Sequence, residues 1–238
     1  MNMGQFRSVM TSIFGQMRKD GPKALDRGLK IFCISFQRTG TTSVGKFFGE
    51  HGYKVGGWAV TQAKQWTLLW LKGDHESIFR SEEFLYHQVF EDSPWGGNDF
   101  YKILFHRFPD ARFVLLERDA DKWFDSMVSH SNARTLGNTH RHCSVYHREE
   151  DFHALDGLPN AYTDEIDNLL PLNASHREHY TRIYRSHNKE VKLFFDLLGS
   201  KRLFSGQLED PDVWMKMGAF FGIDVKPGYA VHANRTGK

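Results

Sequence analysis

One octapeptide, FQRTGTTS at residues 36–43, combines residue types that bind phosphate. Gly40 permits a close approach of the backbone to an anion, and the hydroxyl residues at 41–43 supply further donors. Arg38 adds a charged fork of N–H groups that can hold an anion through two hydrogen bonds. These residues alone leave one alternative open, which is an ordinary strand-to-helix turn capped by threonine.

The octapeptide departs from the Walker loop, G-x-x-x-x-G-K-[ST], which grips the phosphates of ATP. Ser35 stands where that pattern has its first glycine, and Thr41 stands where it has its lysine. The nearest cation is Arg38, which precedes the glycine by two residues instead of following it. The loop therefore predicts a phosphate ligand without specifying ATP.

A second pair of anion-binding residue types lies in the segment ERDADKWFDSM. Arg118 follows an apolar, strand-like run, and Ser126 stands eight residues further along. That separation is about two helical turns, so both side chains can face one side of the predicted helix. Such a pair could hold a second phosphate, although two unrelated surface residues would satisfy the same pattern.

Together, the two segments resemble the signature of the sulfotransferases that use 3′-phosphoadenosine 5′-phosphosulfate (PAPS). In that family a strand–loop–helix with [KR]-[ST]-G-T-[TN]-[ST] binds the 5′-phosphosulfate, and R-[DN]-x-x-x-x-x-x-S binds the 3′-phosphate. Here these segments are RTGTTS and RDADKWFDS. The resemblance runs from about residue 30 to residue 236, through HNKEV, LEDPDVWMKMGAFFGIDV and the closing VHANRT. The R-K-G-x-x-G segment of the cytosolic small-molecule members does not occur in this sequence.

The resemblance implies PAPS as the sulfuryl donor, adenosine 3′,5′-bisphosphate as a product and no obligatory metal. It implies that Arg38 reaches the oxygen between phosphate and sulfate and stabilises the negative charge that develops there. The donor-binding residues that it implies are Gln37, Arg38, Thr39, Gly40, Thr41, Thr42, Ser43, Arg118 and Ser126.

Transfer to a hydroxyl group needs a base, and the segment FEDSPW offers two carboxylates at the end of a predicted strand. Related enzymes carry a histidine or a carboxylate after the corresponding strand. Asp92 is our first choice and Glu91 our second. Neighbouring side chains of an extended chain point to opposite sides, so we expect only one of them to face the pocket. A carboxylate that caps the turn before Ser93-Pro94 is the structural alternative.

The sequence gives fewer indications of the residues that bind the acceptor. Trp58, Trp66 and Trp95 could stack on a sugar or an aromatic acceptor, or they could belong to the core. The histidine cluster THRHCSVYHREEDFH has neither a C-x-x-C nor an H-E-x-x-H pattern, so we interpret it as part of an acceptor-binding lid instead of a zinc site. A carbohydrate is the favoured acceptor. A lipid headgroup, a small alcohol or phenol, and a peptide tyrosine remain alternatives.

Apolar runs and helical periodicities alternate along the chain. Strands are predicted at LKIFCISF, GYKVGG, EFLYHQVFED, ARFVLLERD and KRLFSGQ. Helices are predicted at TSVGKFFGEHGY, AVTQAKQWTLLWLK, NDFYKILFHRF, ADKWFDSMV, REHYTRIYRSHNKEVKLFFDLL and PDVWMKMGAFFG, and residues 132–176 are predicted as loops with short helices. This alternation predicts an α/β fold with a central parallel sheet flanked by helices. The resemblance to the sulfotransferases implies a three-layer fold like that of the P-loop NTPases. Ligands are expected at the carboxyl ends of the strands.

Composition sets the remaining expectations. The 238 residues carry a formal net charge of +2 with no long basic run, which argues against a nucleic-acid partner. Two cysteines and no apolar stretch of about 20 residues favour a cytoplasmic protein. Residues 1–28 are predicted to form an amphipathic helix and linker, for which packing on the main body is favoured over membrane-surface contact. Residues 29–238 are predicted to form a single sulfotransferase domain.

Two other functions fit parts of the sequence. A nucleotide-dependent kinase would use Asp92 to hold magnesium, but the missing lysine disfavours it. A non-catalytic nucleotide-binding protein could have kept the fold, but two phosphate motifs and a carboxylate at a strand end argue against it.

Overall fold

The computed structural model describes residues 28–157, 161–163 and 165–231. The predicted N-terminal helix and all but the first residue of the closing VHANRT lie outside the described residues. The division of the chain at residue 28 therefore stays a prediction.

A five-stranded parallel sheet forms the centre of the described part of the chain. Its strands are β1 (Ile31–Cys33), β2 (Val55–Gly56), β3 (Val89–Phe90), β4 (Arg112–Glu117) and β5 (Leu203–Gln207). Their order across the sheet is β2-β3-β1-β4-β5, and every pairing is parallel. Because β1 lies between β3 and β4, the segments that follow these three strands leave the sheet side by side at one edge.

Helices cover both faces of the sheet. They are α1 (Thr41–Glu50), α2 (Trp58–Ala63), α3 (Trp66–Leu71), α4 (His75–Arg80), α5 (Glu82–Tyr86), α6 (Phe100–Arg107), α7 (Ala120–His130), α8 (Thr139–Tyr146), α9 (Glu149–His153), α10 (Arg177–Leu198) and α11 (Val213–Phe221). Short 3-10 helices span Ala174–His176 and Ser200–Arg202. Among the described residues, no helix is long and apolar enough to cross a membrane.

Alternating side chains of β1 divide the core into two layers. Phe32 faces a cluster that contains Trp95 and Phe195, whereas Ile31 and Cys33 face a cluster that contains Phe47. All three residues of β1 have no exposed surface, as expected of a strand in a parallel sheet that is covered on both faces. The predicted three-layer α/β fold with a central parallel sheet is confirmed.

Two predicted elements were wrong in type or extent. EFLYHQVFED, predicted as one strand, forms α5 followed by the two-residue β3. The Ser81 hydroxyl accepts the Phe84 N–H at the start of α5, and the Lys30 ammonium donates to the carbonyl oxygens of Phe84 (2.7 Å) and His87 (2.5 Å). AVTQAKQWTLLWLK, predicted as one helix, is broken between α2 and α3 because Gln65 adopts a left-handed conformation with φ 53°.

Candidate active site

The segment 36–43, called the glycine loop below, connects β1 to α1. Gly40 precedes the first residue of α1 with φ 89°, and no side chain caps the helix there. A Cβ atom at Gly40 would come within 2.8 Å of Leu208 Cδ1. The first turn of a helix leaves N–H groups without acceptors in the helix itself, and its dipole attracts negative charge. The loop therefore has the backbone geometry of an anion site.

Arg38 links the glycine loop to α7. Its Nε atom donates to Ser126 Oγ at 3.2 Å, so residues from the two predicted phosphate motifs are in direct contact. Arg38 is half-buried, and its pKa is lowered from the usual value by burial and then by the charge of Arg118. Two neighbouring guanidinium groups repel one another, so their proximity favours the binding of an anion.

Arg118 lies just beyond β4 and is held from two sides. Its main-chain N–H donates to the Tyr184 hydroxyl at 2.9 Å, and its Nε forms an ion pair with Glu209 Oε1 at 3.2 Å. Tyr184 of α10 thus fixes the main chain of Arg118, and Glu209 from the segment after β5 holds its guanidinium group. A phosphate bound at the Arg118 guanidinium group would either displace the Glu209 carboxylate or share the group with it.

Gln37 and Thr39 stabilise the conformation of the glycine loop. The Thr39 side chain is fully buried, and its hydroxyl donates to the Phe36 carbonyl oxygen at 2.6 Å. The Gln37 carbonyl oxygen accepts the indole N–H of Trp123 at 2.9 Å, and its side-chain amide donates to the Tyr146 hydroxyl at 3.4 Å. The backbone of the loop is therefore anchored to α7 and α8.

A cleft of about 1080 Å³ opens over the glycine loop and the carboxyl ends of the strands. Ligand sites commonly occupy about 300–1,000 Å³, so this volume has room for a nucleotide and a second substrate. Of the predicted donor-binding residues, Thr39 is the one that does not line it. Those that do are Gln37, Arg38, Gly40, Thr41, Thr42, Ser43, Arg118 and Ser126.

The two candidate bases are separated by burial. Asp92 lines the cleft in a left-handed conformation with φ 71°, and its carboxylate accepts the Ser93 hydroxyl at 3.3 Å. Glu91 is 6% exposed and does not line the cleft, and the Trp58 main-chain N–H donates to its carboxylate. Burial, and then the charge of Asp92, raise the Glu91 pKa to about 7. Of the two carboxylates, Asp92 is therefore the one that lines the cleft, and its role as base stays a prediction.

His130 was not identified from the sequence, yet it lines the same cleft. It is the last residue of α7 and follows Ser126 by one helical turn. Its pKa is lowered by burial and by the charge of Arg38, while the charge of Asp92 opposes that shift. The spacing of four residues from Ser126 was the signal that could have revealed it.

The tryptophans divide between core and cleft. Trp66 and Trp95 have no exposed surface and pack on each other with ring centroids 5.6 Å apart. Trp58 is 51% exposed and lines the cleft at the start of α2. Of the three candidates for a stacking surface, only Trp58 is therefore available to an acceptor.

The histidine cluster is built into α8 and α9. His142 is buried, its Nδ1 accepts the Leu136 N–H at 3.0 Å, and its Nε2 lies 2.7 Å from the Tyr180 hydroxyl. Burial lowers its pKa to about 3, so the ring is neutral near pH 7. Within residues 28–157, 161–163 and 165–231, no group of three or more His, Cys, Asp or Glu side chains is placed to hold a metal ion. Asn138 and Arg141, at the start of α8, line the cleft, so this region borders the acceptor side.

Comparisons with known proteins bear on the family. The profile of the sulfotransferase domain matches residues 30–236. Among solved structures, a sulfotransferase from Alicyclobacillus acidocaldarius shares 16% identity over 82% of this chain and 81% of its own, with a TM-score of 0.44. A comparison with curated protein sequences found no significant match. Because the family profile spans most of the sequence, from the start of β1 to the closing segment, the chain belongs to the sulfotransferase domain family.

Proposed function

We propose that this sulfotransferase moves the sulfuryl group of PAPS to a hydroxyl group of a carbohydrate. The proposal rests on the 3.2 Å hydrogen bond between Arg38 Nε and Ser126 Oγ. This bond joins the glycine loop to α7, so that Arg38 and Arg118 line one cleft. A donor with a 5′-phosphosulfate and a separate 3′-phosphate carries negative charge at two places, which matches two cations held by different strands.

The residues around the glycine loop fit such a donor. The N-terminus of α1 carries no side-chain cap, and Gly40 leaves its backbone open to an anion. Burial and then the charge of Arg118 lower the Arg38 pKa, and the negative charge of a bound bisphosphate would oppose both effects. A dianionic 3′-phosphate would also outweigh the single carboxylate of Glu209 that now pairs with Arg118.

In the proposed reaction the acceptor oxygen forms a bond to sulfur while the bond between sulfur and the phosphate oxygen breaks. Adenosine 3′,5′-bisphosphate leaves with the electron pair, and Asp92 takes the proton of the acceptor hydroxyl. Arg38 stabilises the charge that develops on the leaving oxygen. Because removal of one preorganised donor typically costs about 100-fold or more in rate, Arg38→Ala should lose at least that much turnover.

A carbohydrate acceptor is supported by the character of the cleft on the Asp92 side. The exposed indole of Trp58 offers one flat apolar surface, and most of the other lining side chains there are amides and hydroxyls. This mixture suits a sugar ring, which has hydroxyl groups on its rim and apolar C–H groups on its faces.

Calorimetric titration with adenosine 3′,5′-bisphosphate in EDTA tests the donor, with magnesium-ATP as the comparison. Micromolar binding of the bisphosphate without metal supports the proposal and leads to an acceptor screen with labelled PAPS. Preference for magnesium-ATP would refute it and make Asp92 a candidate magnesium ligand of a kinase. Binding of the bisphosphate without turnover of any acceptor would indicate a non-catalytic nucleotide-binding protein.

A further inference from the structure

Polar atoms without partners gather on the acceptor side of the cleft. Thr67 Oγ1, Asn138 Nδ2 and Asn168 Oδ1 are buried and have no hydrogen-bond partner among the described residues. All three residues line the cleft, and Thr67 and Asn138 are only 3% and 5% exposed. Buried polar atoms without hydrogen-bond partners destabilise a fold. Three such atoms beside one cleft therefore indicate a ligand that supplies their partners.

Thr67 follows a helix, α2, that is held against the segment carrying Asp92. In α2, the Thr61 hydroxyl donates to the Ser93 carbonyl oxygen at 2.9 Å, which fastens this helix to the residue after Asp92. Trp58 begins α2, and Thr67 lies in the first turn of α3, which directly follows. The exposed indole of Trp58 and the unpaired hydroxyl of Thr67 line the same cleft as Asp92.

Asn138 approaches the same segment from the start of α8, and Asn168 lies beside it in a loop. Asn138 is the N-cap of α8, where its Oδ1 accepts the Arg141 N–H at 2.8 Å and leaves Nδ2 as a donor. The Arg141 guanidinium donates to Ser93 Oγ, which fastens α8 beside Asp92. The Asn168 N–H donates to the Gly137 carbonyl oxygen at 3.2 Å, so Asn168 lies next to Asn138.

The three atoms carry no charge and differ in hydrogen-bonding role. Asn138 Nδ2 donates, Asn168 Oδ1 accepts, and the Thr67 hydroxyl can do either. Each hydroxyl group of a sugar also both donates and accepts, so a ring with several hydroxyls can satisfy all three atoms. A phenol or an alkyl alcohol has one hydroxyl, which the transfer itself consumes, and it would leave these atoms unpaired.

We propose that Thr67, Asn138 and Asn168, together with the indole of Trp58, form an acceptor subsite that takes a sugar ring of a glycan or glycoside. The proposal rests on the sulfotransferase function proposed above and assigns the acceptor class and its specificity residues to the same cleft. The three side chains line the cleft, but their unpaired atoms are buried, so a bound sugar has to displace the groups that cover them. The hydroxyl to be sulfated then lies on the Asp92 side of the ring.

Two conservative variants test the subsite. Thr67→Val keeps the shape of the side chain and removes the hydroxyl. Asn138→Ser keeps an oxygen that caps α8 and removes the amide donor. Asn173→Ser is the matched control, because Asn173 also caps a helix, Ala174–His176, with its side-chain oxygen but does not line the cleft. We expect the KM for methyl glycosides to rise about tenfold in the first two variants, the value that one lost hydrogen bond of about 1.4 kcal/mol gives. Asn173→Ser should leave it unchanged.

Stability measurements separate recognition from a structural role. The Thr67 hydroxyl has no partner, so Thr67→Val should unfold at a urea concentration no lower than the parent. Thr61→Val removes a hydroxyl that donates to Ser93 and should unfold at a lower concentration. A loss of stability in Thr67→Val with an unchanged KM would assign its hydroxyl to the fold and overturn the subsite.

The acceptor panel consists of methyl glycosides of common hexoses and pentoses, 4-nitrophenol and an alkyl alcohol, each assayed with labelled PAPS. Preferred turnover of a glycoside, with unchanged affinity of the variants for adenosine 3′,5′-bisphosphate, is the expected result. If the bisphosphate binds but no glycoside is turned over, or if the phenol or alkyl alcohol is preferred, the subsite is overturned and the donor assignment stands. If the bisphosphate does not bind, the proposed function is refuted, and the subsite proposal, which rests on it, is refuted as well.

Discussion

Replacement of Glu91 by glutamine should stabilise the protein at alkaline pH without stopping sulfuryl transfer. Glu91 is 6% exposed, and its Oε2 atom is buried without a partner among the described residues. Burial and then the charge of Asp92 raise its pKa from 4.5 to about 7. Above pH 7 the folded protein therefore contains a carboxylate that is less stable than the same group in the unfolded chain.

The size of the effect follows from the pKa values in the two states. The folded chain binds the Glu91 proton more tightly than the unfolded chain, so the free energy of unfolding falls as pH rises from about 4.5 to about 7. At about 1.4 kcal/mol per pKa unit, the full loss is about 3 kcal/mol. Glutamine does not ionise and avoids this loss. The stability of Glu91→Gln relative to the parent should therefore increase by about 2–3 kcal/mol between pH 5 and pH 8.

Urea denaturation at pH 5, 6, 7 and 8 measures this difference, with the exposed Glu150→Gln as the matched control. Glu150→Gln should follow the parent at each pH. Curves for Glu91→Gln that stay parallel to those of the parent would refute the argument that Glu91 carries a buried, unfavourable charge. Loss of turnover in Glu91→Gln while Asp92→Asn remains active would transfer the role of base to Glu91.

Three further substitutions address the donor site and the base. Arg118→Ala should weaken binding of adenosine 3′,5′-bisphosphate far more than binding of adenosine 5′-monophosphate, and equal losses by calorimetry would exclude a 3′-phosphate role. Asp92→Asn should retain bisphosphate affinity and lose most turnover of labelled PAPS, whereas near-normal turnover would place the base elsewhere. Gly40→Ala forces a Cβ to within 2.8 Å of Leu208 at φ 89°. Because such strain costs about 1–3 kcal/mol, the affinity for the bisphosphate should fall about tenfold or more. An affinity equal to that of the parent would show that the loop tolerates the change.

The parallel sheet and the glycine loop were predictable because their signals are local. The continuous apolar run at β1 requires burial on both faces, and the RTGTTS segment that follows changes from strand to helix through Gly40. β4 and the start of α7 follow the same logic. A contact between residues far apart in the chain explains the wrong prediction at EFLYHQVFED. The Phe84 and Leu85 carbonyl oxygens of α5 accept hydrogen bonds from Lys30, more than 50 positions earlier, and no local pattern in EFLYHQVFED reveals that partner.

The acceptor side could not be predicted in the same way. Thr67, Asn138 and Asn168 are uncharged, form no motif and come from three separate parts of the sequence. What unites them is an unpaired polar atom at one cleft, which only the folded chain reveals. His130 is an intermediate case, because its spacing from Ser126 was visible in the sequence but its proximity to Asp92 was not.

The position of Arg38 connects the altered loop to the form of the proposed donor. A lysine after the glycine would start α1, where Thr41 now stands with 5% of its surface exposed. An arginine two residues before the glycine, with φ 68°, extends instead across the sheet edge to Ser126 on α7. The cation therefore lies between the loop after β1 and the segment after β4, close to Arg118. Such a placement favours a ligand whose two anionic groups belong to different positions of one nucleoside over a linear triphosphate bound along a single loop.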